Sequence, residues 1–223
     1  MTRDLKKKIK FLKDFEEEIS RIYEEKKIYG PIHLRNNNES ELIKIFQGVN
    51  SEDYVFSTWA SHLHALLKGI PADEVKKMII EGNSITLTFP QYNFFTSAIV
   101  GGICPIATGV AWASKQKEKL KGLKGLKGPR VWIFIGDMTA FTGIANESIT
   151  YSINFDLPIT WIIEDNKKSV GTPTKNAWNQ DAESLFESLL EKKSIAKATN
   201  FDIKYYQFKS DWPHSGVGKF IEF

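Results

Sequence analysis

Two apolar runs, each ending abruptly in acidic or amide residues, constrain the fold of this chain more than any other feature. Val131-Trp-Ile-Phe-Ile is followed by Gly136-Asp137, and Leu157-Pro-Ile-Thr-Trp-Ile-Ile is followed by Glu164-Asp165-Asn166. Continuous apolar runs of this kind suit strands buried on both faces of a parallel sheet. Residues 143 to 154 fit a helix between them, so the segment reads as a βαβ unit. A right-handed crossover returns the chain beside itself. Asp137 and Asn166, twenty-nine positions apart, would then emerge at the same sheet edge. Open α/β sheets bind ligands there, outside the carboxyl ends of their strands. The expected fold is α/β, a mostly parallel sheet with helices on both faces.

The rest of the chain fits one domain over residues 1–223 with an N-terminal helical segment over about residues 1–30. Leu5, Ile9, Leu12, Phe15, Ile19 and Ile22 recur at three- and four-residue steps, predicting an amphipathic helix over 4–28 that Gly30-Pro31 ends. A short helix is expected over Glu39 to Phe46 and a strand at Tyr54-Val-Phe-Ser-Thr. Pro71 near a first turn opens another helix. A polar, aromatic loop over 82–96 then leads to a helix from Ala98 to Leu120. After Thr174, one helix and one strand precede Trp212-Pro-His-Ser.

Composition narrows the function. At 42% hydrophobic and 26% charged residues the chain is an ordinary folded protein, and a net charge of +3 gives no reason to invoke nucleic acid or a membrane. The segment Lys119 to Arg130, with its repeated Lys-Gly-Leu, reads as a flexible basic connection. Its glycines lack the dinucleotide-binding spacing, and no strand precedes them. Cys104, the single cysteine, sits in an apolar stretch and is expected to be a small core residue. The N-terminus has no signal-peptide pattern, and Ala98 to Ala113 is shorter than a membrane span. The expectation is a cytoplasmic protein.

The chemistry is expected at the strand ends. A carboxylate, an amide oxygen and a nearby backbone carbonyl are hard oxygen ligands suited to Mg²⁺, which takes few protein ligands and completes its octahedron with phosphate oxygens and water. Gly-Asp after a strand is also what a turn and helix cap look like. The second element, at its spacing, is what points to a metal.

Gly136-Asp137, the helix, Leu-Pro, the apolar strand, Asn166 and Gly171-Thr172 together resemble the motif of thiamine diphosphate enzymes. The chain is most similar to the alpha subunit of the thiamine-dependent component of 2-oxo acid dehydrogenase complexes. Four further stretches agree in order: Gly30 to Leu34, Phe56 to Gly69, Ala98 to Gly109, and Trp212 to Ser215. The resemblance implies the diphosphate-binding half of that fold and two cofactors, thiamine diphosphate and Mg²⁺. Asp137, Asn166 and the Lys168 carbonyl would hold the metal, and the turn at Gly136 with the amides of Met138 and Thr139, at a helix start, would face the diphosphate. The backbone of Ala98 and Val100 would meet the aminopyrimidine, and Trp59 would flank the ring. His33, His62 and His214, three of only four histidines, fall on active-site positions.

The resemblance also implies what the chain lacks. The family's glutamate that protonates the aminopyrimidine belongs to a pyrimidine-binding domain. No such domain is found in this sequence, so a beta-type partner chain and a heterotetramer are expected. The aromatic loop Phe89 to Phe95 and the apolar entry at Ala98 are expected to be buried against that partner. Met138 stands where the family has a glycine, raising the question of a left-handed backbone there. Ala60 stands where the family has a diphosphate-binding arginine. The stretch after Thr174 is short for the family, which leans towards transketolase- or acyloin-type carbon–carbon bond formation over oxidative decarboxylation. Ala60 and Met138 also keep open a non-catalytic subunit.

Overall fold

In the computed structural model, which describes residues 3–120 and 128–223, the two apolar runs are neighbouring parallel strands. Residues 121–127 of the basic connection lie outside the described residues. Along the chain come α1 (Arg3–Glu24), α2 (Glu39–Phe46), β1 (Tyr54–Ser57), α3 (His62–Leu67), α4 (Ala72–Met78), β2 (Phe94–Thr96) and α5 (Ile103–Leu120). They are followed by β3 (Val131–Gly136), α6 (Asp137–Ala140), α7 (Gly143–Asn154), β4 (Ile159–Asp165), β5 (Lys168–Ser169), β6 (Thr172–Pro173), α8 (Thr174–Trp178), α9 (Ala182–Ile195) and β7 (Asp202–Gln207). Where the sequence reading takes one domain, these elements group into two compact units. One comprises residues 1–51, 57–98 and 208–223, the other residues 52–56 and 99–207.

The second unit holds four parallel strands in the order β1-β3-β4-β7. All seven residues of β4 are buried, and alternate residues of a strand face opposite sides, so helices must cover the sheet on both. α5 packs on β3 and α9 on β7. Cys104 on α5 is fully buried, and burial pushes its thiol up to about 12, which makes it a core residue and not a nucleophile. Register then sets the site: Gly136 lies opposite Glu164, and Glu164 opposite Tyr206. The residues that follow Gly136 and Glu164 leave adjacent strands side by side.

The first unit is helical. Leu12, Phe15 and Ile19 of α1 are buried with Leu42, Ile43 and Phe46 of α2 and with Leu63 and Leu66 of α3, and these helices pack on one another. The amphipathic pattern of α1 is thus a core stripe.

Several boundaries fall elsewhere than expected, each for a local reason. α1 stops at Glu24, not 28, because Lys26 adopts a left-handed conformation (φ 63°). Lys26 N–H then bonds to Tyr23 O and Lys27 N–H to Ile22 O, a Schellman ending without its usual glycine. α5 starts at Ile103, not Ala98, because Gly101 is left-handed (φ 74°) and an added Cβ would lie 2.4 Å from Ile144 Cγ2. Beyond Thr174 there are two helices instead of one, parted by left-handed Asn179. The 82–96 loop carries 3₁₀ turns and β2, and two of its aromatics, Phe89 and Phe94, are covered by the chain itself, while Tyr92 and Phe95 are half-buried. Phe89 and Phe94 bond backbone to backbone in both directions and are buried within the chain. Ile99 and Val100 do remain exposed, at 74% and 51%. Among the described residues no helix is long and apolar enough to cross a membrane.

Candidate cofactor and metal site

Asp137 and Asn166 stand at the carboxyl ends of the neighbouring strands β3 and β4. Asp137 is only 2% exposed. After β4 the chain turns back through the antiparallel pair β5–β6, which carries Thr174 to Asp137, and the Thr174 hydroxyl donates to Asp137 Oδ2. Burial above all, with the Asp165 carboxyl beside it, pushes Asp137 up to about 6, against the lowering effect of the Thr174 hydroxyl and the Met138 amide. Asn166 is half-buried, and its Oδ1 accepts the Lys168 N–H at 3.3 Å.

The donor set fits a hard divalent cation. A carboxylate and an amide oxygen come from one sheet edge, Lys168 follows in β5, and among the described residues no lysine, arginine or histidine pairs with Asp137. No group of three or more His, Cys, Asp or Glu forms a metal cluster among the described residues, which is compatible with an ion that keeps few protein ligands.

Gly136 is extended (φ −72°, ψ 158°) and Met138 lies inside α6, outside the left-handed region. Methionine at 138, where the family resemblance implies a glycine, therefore sits without backbone strain. The helix expected to present its N-terminus is divided: α6 has four residues, and α7 begins separately at Gly143, with the Thr142 hydroxyl accepting the Ala145 N–H at 3.4 Å. A helix dipole from one turn is small, which leaves the amides of Met138 and Thr139 as the local donors for an anion.

In the first unit, His33, Trp59 and His214 form one cluster. Ring centroids lie 4.7 Å apart for His33 and His214, and 5.8 Å from Trp59 to each histidine. The C-terminal segment reaches His33 because it is stitched to residues 32–37. Gly216 N–H bonds to Ile32 O at 2.9 Å, Asp211 N–H to Asn36 Oδ1 at 2.9 Å, and Asn37 Nδ2 to Asp211 Oδ2 at 2.7 Å. Burial, then the neighbouring His214, brings His33 down to about 4, and burial lowers His214 as well. Both rings are neutral near pH 7.

His62 stands apart from that cluster. Its Nδ1 meets Glu16 Oε2 at 3.2 Å and its Nε2 meets Ser84 Oγ at 2.8 Å, and all three side chains are buried. Both ring nitrogens are committed inside the unit. Beside it Ala60 is buried, and the buried Ser61 hydroxyl has no hydrogen-bond partner among the described residues. Ala98 closes the first unit, and Val100 lies in the turn that opens the second.

Sequence reasoning passed over Asp165, Thr174 and Tyr205 at the strand ends and Glu16 and Ser84 around His62. Asp165 carried a usable signal, because it directly precedes Asn166 and aligns with position 137 once β3 and β4 are set in register. The others are brought in by elements whose packing no periodicity announces.

Acidic and amide side chains thus stand at the carboxyl ends of adjacent parallel strands, where open α/β sheets commonly bind ligands. Residues 7–184 match the Dehydrogenase E1 component family, and the chain belongs to that family. It is 30% identical over 173 residues to a pyruvate dehydrogenase E1 component subunit alpha of Porphyra purpurea, covering 71% of this chain and 49% of that one. It is 29% identical over 168 residues to a chloroplastic pyruvate dehydrogenase E1 component subunit alpha-3 of Oryza sativa subsp. japonica, covering 70% of this chain and 40% of that one. The chain thus spans half or less of these relatives' length. Among solved structures, a transketolase from Leishmania mexicana shares the fold, with a TM-score of 0.53 at 16% identity over 72% of this chain and 28% of the transketolase.

Proposed function

We propose that this chain binds the diphosphate end of thiamine diphosphate together with Mg²⁺. It would serve as the alpha-type subunit of an enzyme whose active site a beta-type chain, carrying the pyrimidine-binding domain, completes. The observation that carries this reading is the placement of Asp137 and Asn166 at the ends of adjacent parallel strands. Asp137, Asn166 and the Lys168 carbonyl would hold Mg²⁺, and the amides of Met138 and Thr139 would face the diphosphate. The backbone at Ala98 and Val100 would meet the aminopyrimidine, with Trp59 beside the ring. Bound there, the cofactor supplies a nucleophilic carbon and an electron sink for breaking or making a carbon–carbon bond. Neutral His33 and His214 each offer one donor and one acceptor nitrogen, with which they would hydrogen-bond and orient a carbonyl substrate. His62 would act indirectly, by bracing its neighbours through Glu16 and Ser84.

The names of the curated relatives favour a 2-oxo acid as substrate over a ketose, with oxidative decarboxylation ahead of transketolase- or acyloin-type transfer. A non-catalytic subunit with a reduced cofactor site is the second reading, and Ala60 favours it. One experiment separates them. Thiamine diphosphate raises the melting temperature of the chain, alone or with its partner, only when Mg²⁺ is present, because a ligand that binds only the folded state stabilises it. Asp137→Ala abolishes the shift. Full cofactor binding by Asp137→Ala contradicts the metal assignment, and no shift in the assembled wild type favours the non-catalytic reading.

A further inference from the structure

We propose that Asp165 is a second acidic partner of the divalent cation, adding charge to the site and shaping the loop that presents the other ligands. The inference rests on the thiamine diphosphate and Mg²⁺ reading above and adds to it a residue beyond Asp137, Asn166 and Lys168.

Strand register places Asp165 beside Asp137, since Gly136 and Glu164 pair across β3 and β4. Both carboxylates are buried, at 2% and 3% exposure. Two like charges brought together out of water repel strongly unless something positive lies between them. The two carboxyls are within hydrogen-bonding reach of each other, and the other donors to them are neutral: the Thr174 hydroxyl and Met138 amide to Asp137, and to Asp165 the Tyr205 hydroxyl at 2.6 Å and the Lys167 N–H at 2.7 Å. Among the described residues no cationic side chain forms an ion pair with either. A hard divalent cation held by oxygen is the species that such a pair of carboxylates accepts.

The second role is geometric. The bond from Lys167 N–H to Asp165 Oδ1 spans two residues, the form of an Asx turn, and Lys167 within it is left-handed at φ 64°. This turn brackets Asn166 and leads into Lys168, so the Asp165 side chain fixes the direction in which the Asn166 amide and the Lys168 carbonyl leave the strand. Tyr205 on β7 holds the other oxygen of the same carboxylate, tying the loop to the last strand of the row. Outer partners that orient metal ligands in this way typically contribute tenfold or more to affinity.

Asp165→Asn isolates the charge, because an amide oxygen can still accept the Lys167 N–H. Mn²⁺ binding to the chain with thiamine diphosphate, read from the paramagnetic resonance signal of free Mn²⁺, is expected to weaken about tenfold. The metal-free melting temperature of this variant stays level or rises as the repulsion is removed, an outcome that lost packing would not give. Tyr205→Phe weakens Mn²⁺ binding in the same direction, and it carries the test if Asp165→Asn fails to fold. Wild-type Mn²⁺ affinity in these variants, with Asp137→Ala unable to bind the ion, overturns the proposal and leaves the cofactor reading standing. Absence of Mn²⁺ binding by the wild type overturns both.

Discussion

His33 is held in an environment that disfavours its charge, and the consequence is measurable. Burial, with His214 beside it, brings it from 6.5 to about 4. Between those values the unfolded chain binds a proton that the folded chain refuses, so stability due to His33 is full above 6.5 and is lost as pH falls towards 4. In His33→Asn, chemical unfolding followed across that window falls less steeply than in the wild type, and comparing the two cancels the titrations that are not coupled to His33. An equally steep fall would mean that the ring is not held neutral. Ala60 makes a different prediction. If an arginine at this position, as the family resemblance implies, would meet the diphosphate, Ala60→Arg tightens thiamine diphosphate binding, by about tenfold for one charge-assisted contact. Because Ala60 is buried, the melting temperature of the free variant must be compared as well. Unchanged or weaker binding in a folded variant would show that another group, with the unpartnered Ser61 hydroxyl nearest in sequence, already serves that end.

At the scale of elements, the buried Glu16–His62–Ser84 chain joins α1, α3 and the turn at Ser84–Thr86 inside the first unit. Removing one end leaves a buried nitrogen without a partner, which costs about 1–3 kcal/mol. Ser84→Ala and Glu16→Leu should each lower the urea midpoint of the chain accordingly, and midpoints equal to the wild type would show that the ring nitrogens are satisfied otherwise. The sequence made β3, β4, α2 and α7 legible because their apolar periods and end residues agree with one another. The ends of α1 and α5 were less so, since they depend on left-handed Lys26 and on Gly101 pressed against Ile144, and a lysine carries no propensity that announces such a turn. In the site, Asp137 and Asn166 could be found because a βαβ crossover has a fixed return. The motif at His62 suggested contact with ligand, and in the folded chain Glu16 and Ser84, forty-six positions before and twenty-two after it, meet both ring nitrogens.

At the scale of the whole molecule, the described chain carries the Asp137–Asn166 sheet edge in one unit and a histidine–tryptophan cluster in the other, and it spans 49% and 40% of the two curated relatives described above. Exposed Ile99 and Val100 lead into α5, beside the backbone proposed to meet the aminopyrimidine, so a second chain carrying the pyrimidine domain would cover apolar surface there. The central claim is that one cation, held at the ends of β3 and β4, ties the cofactor to this chain. Its most direct test is a crystal structure grown with thiamine diphosphate and Mn²⁺, with the metal located by anomalous scattering. The account predicts one peak about 2.1 Å from an Asp137 carboxylate oxygen, the Asn166 amide oxygen and the Lys168 carbonyl, with diphosphate oxygens on its open side. Bound cofactor with the metal peak elsewhere, or with none at that edge, would contradict it.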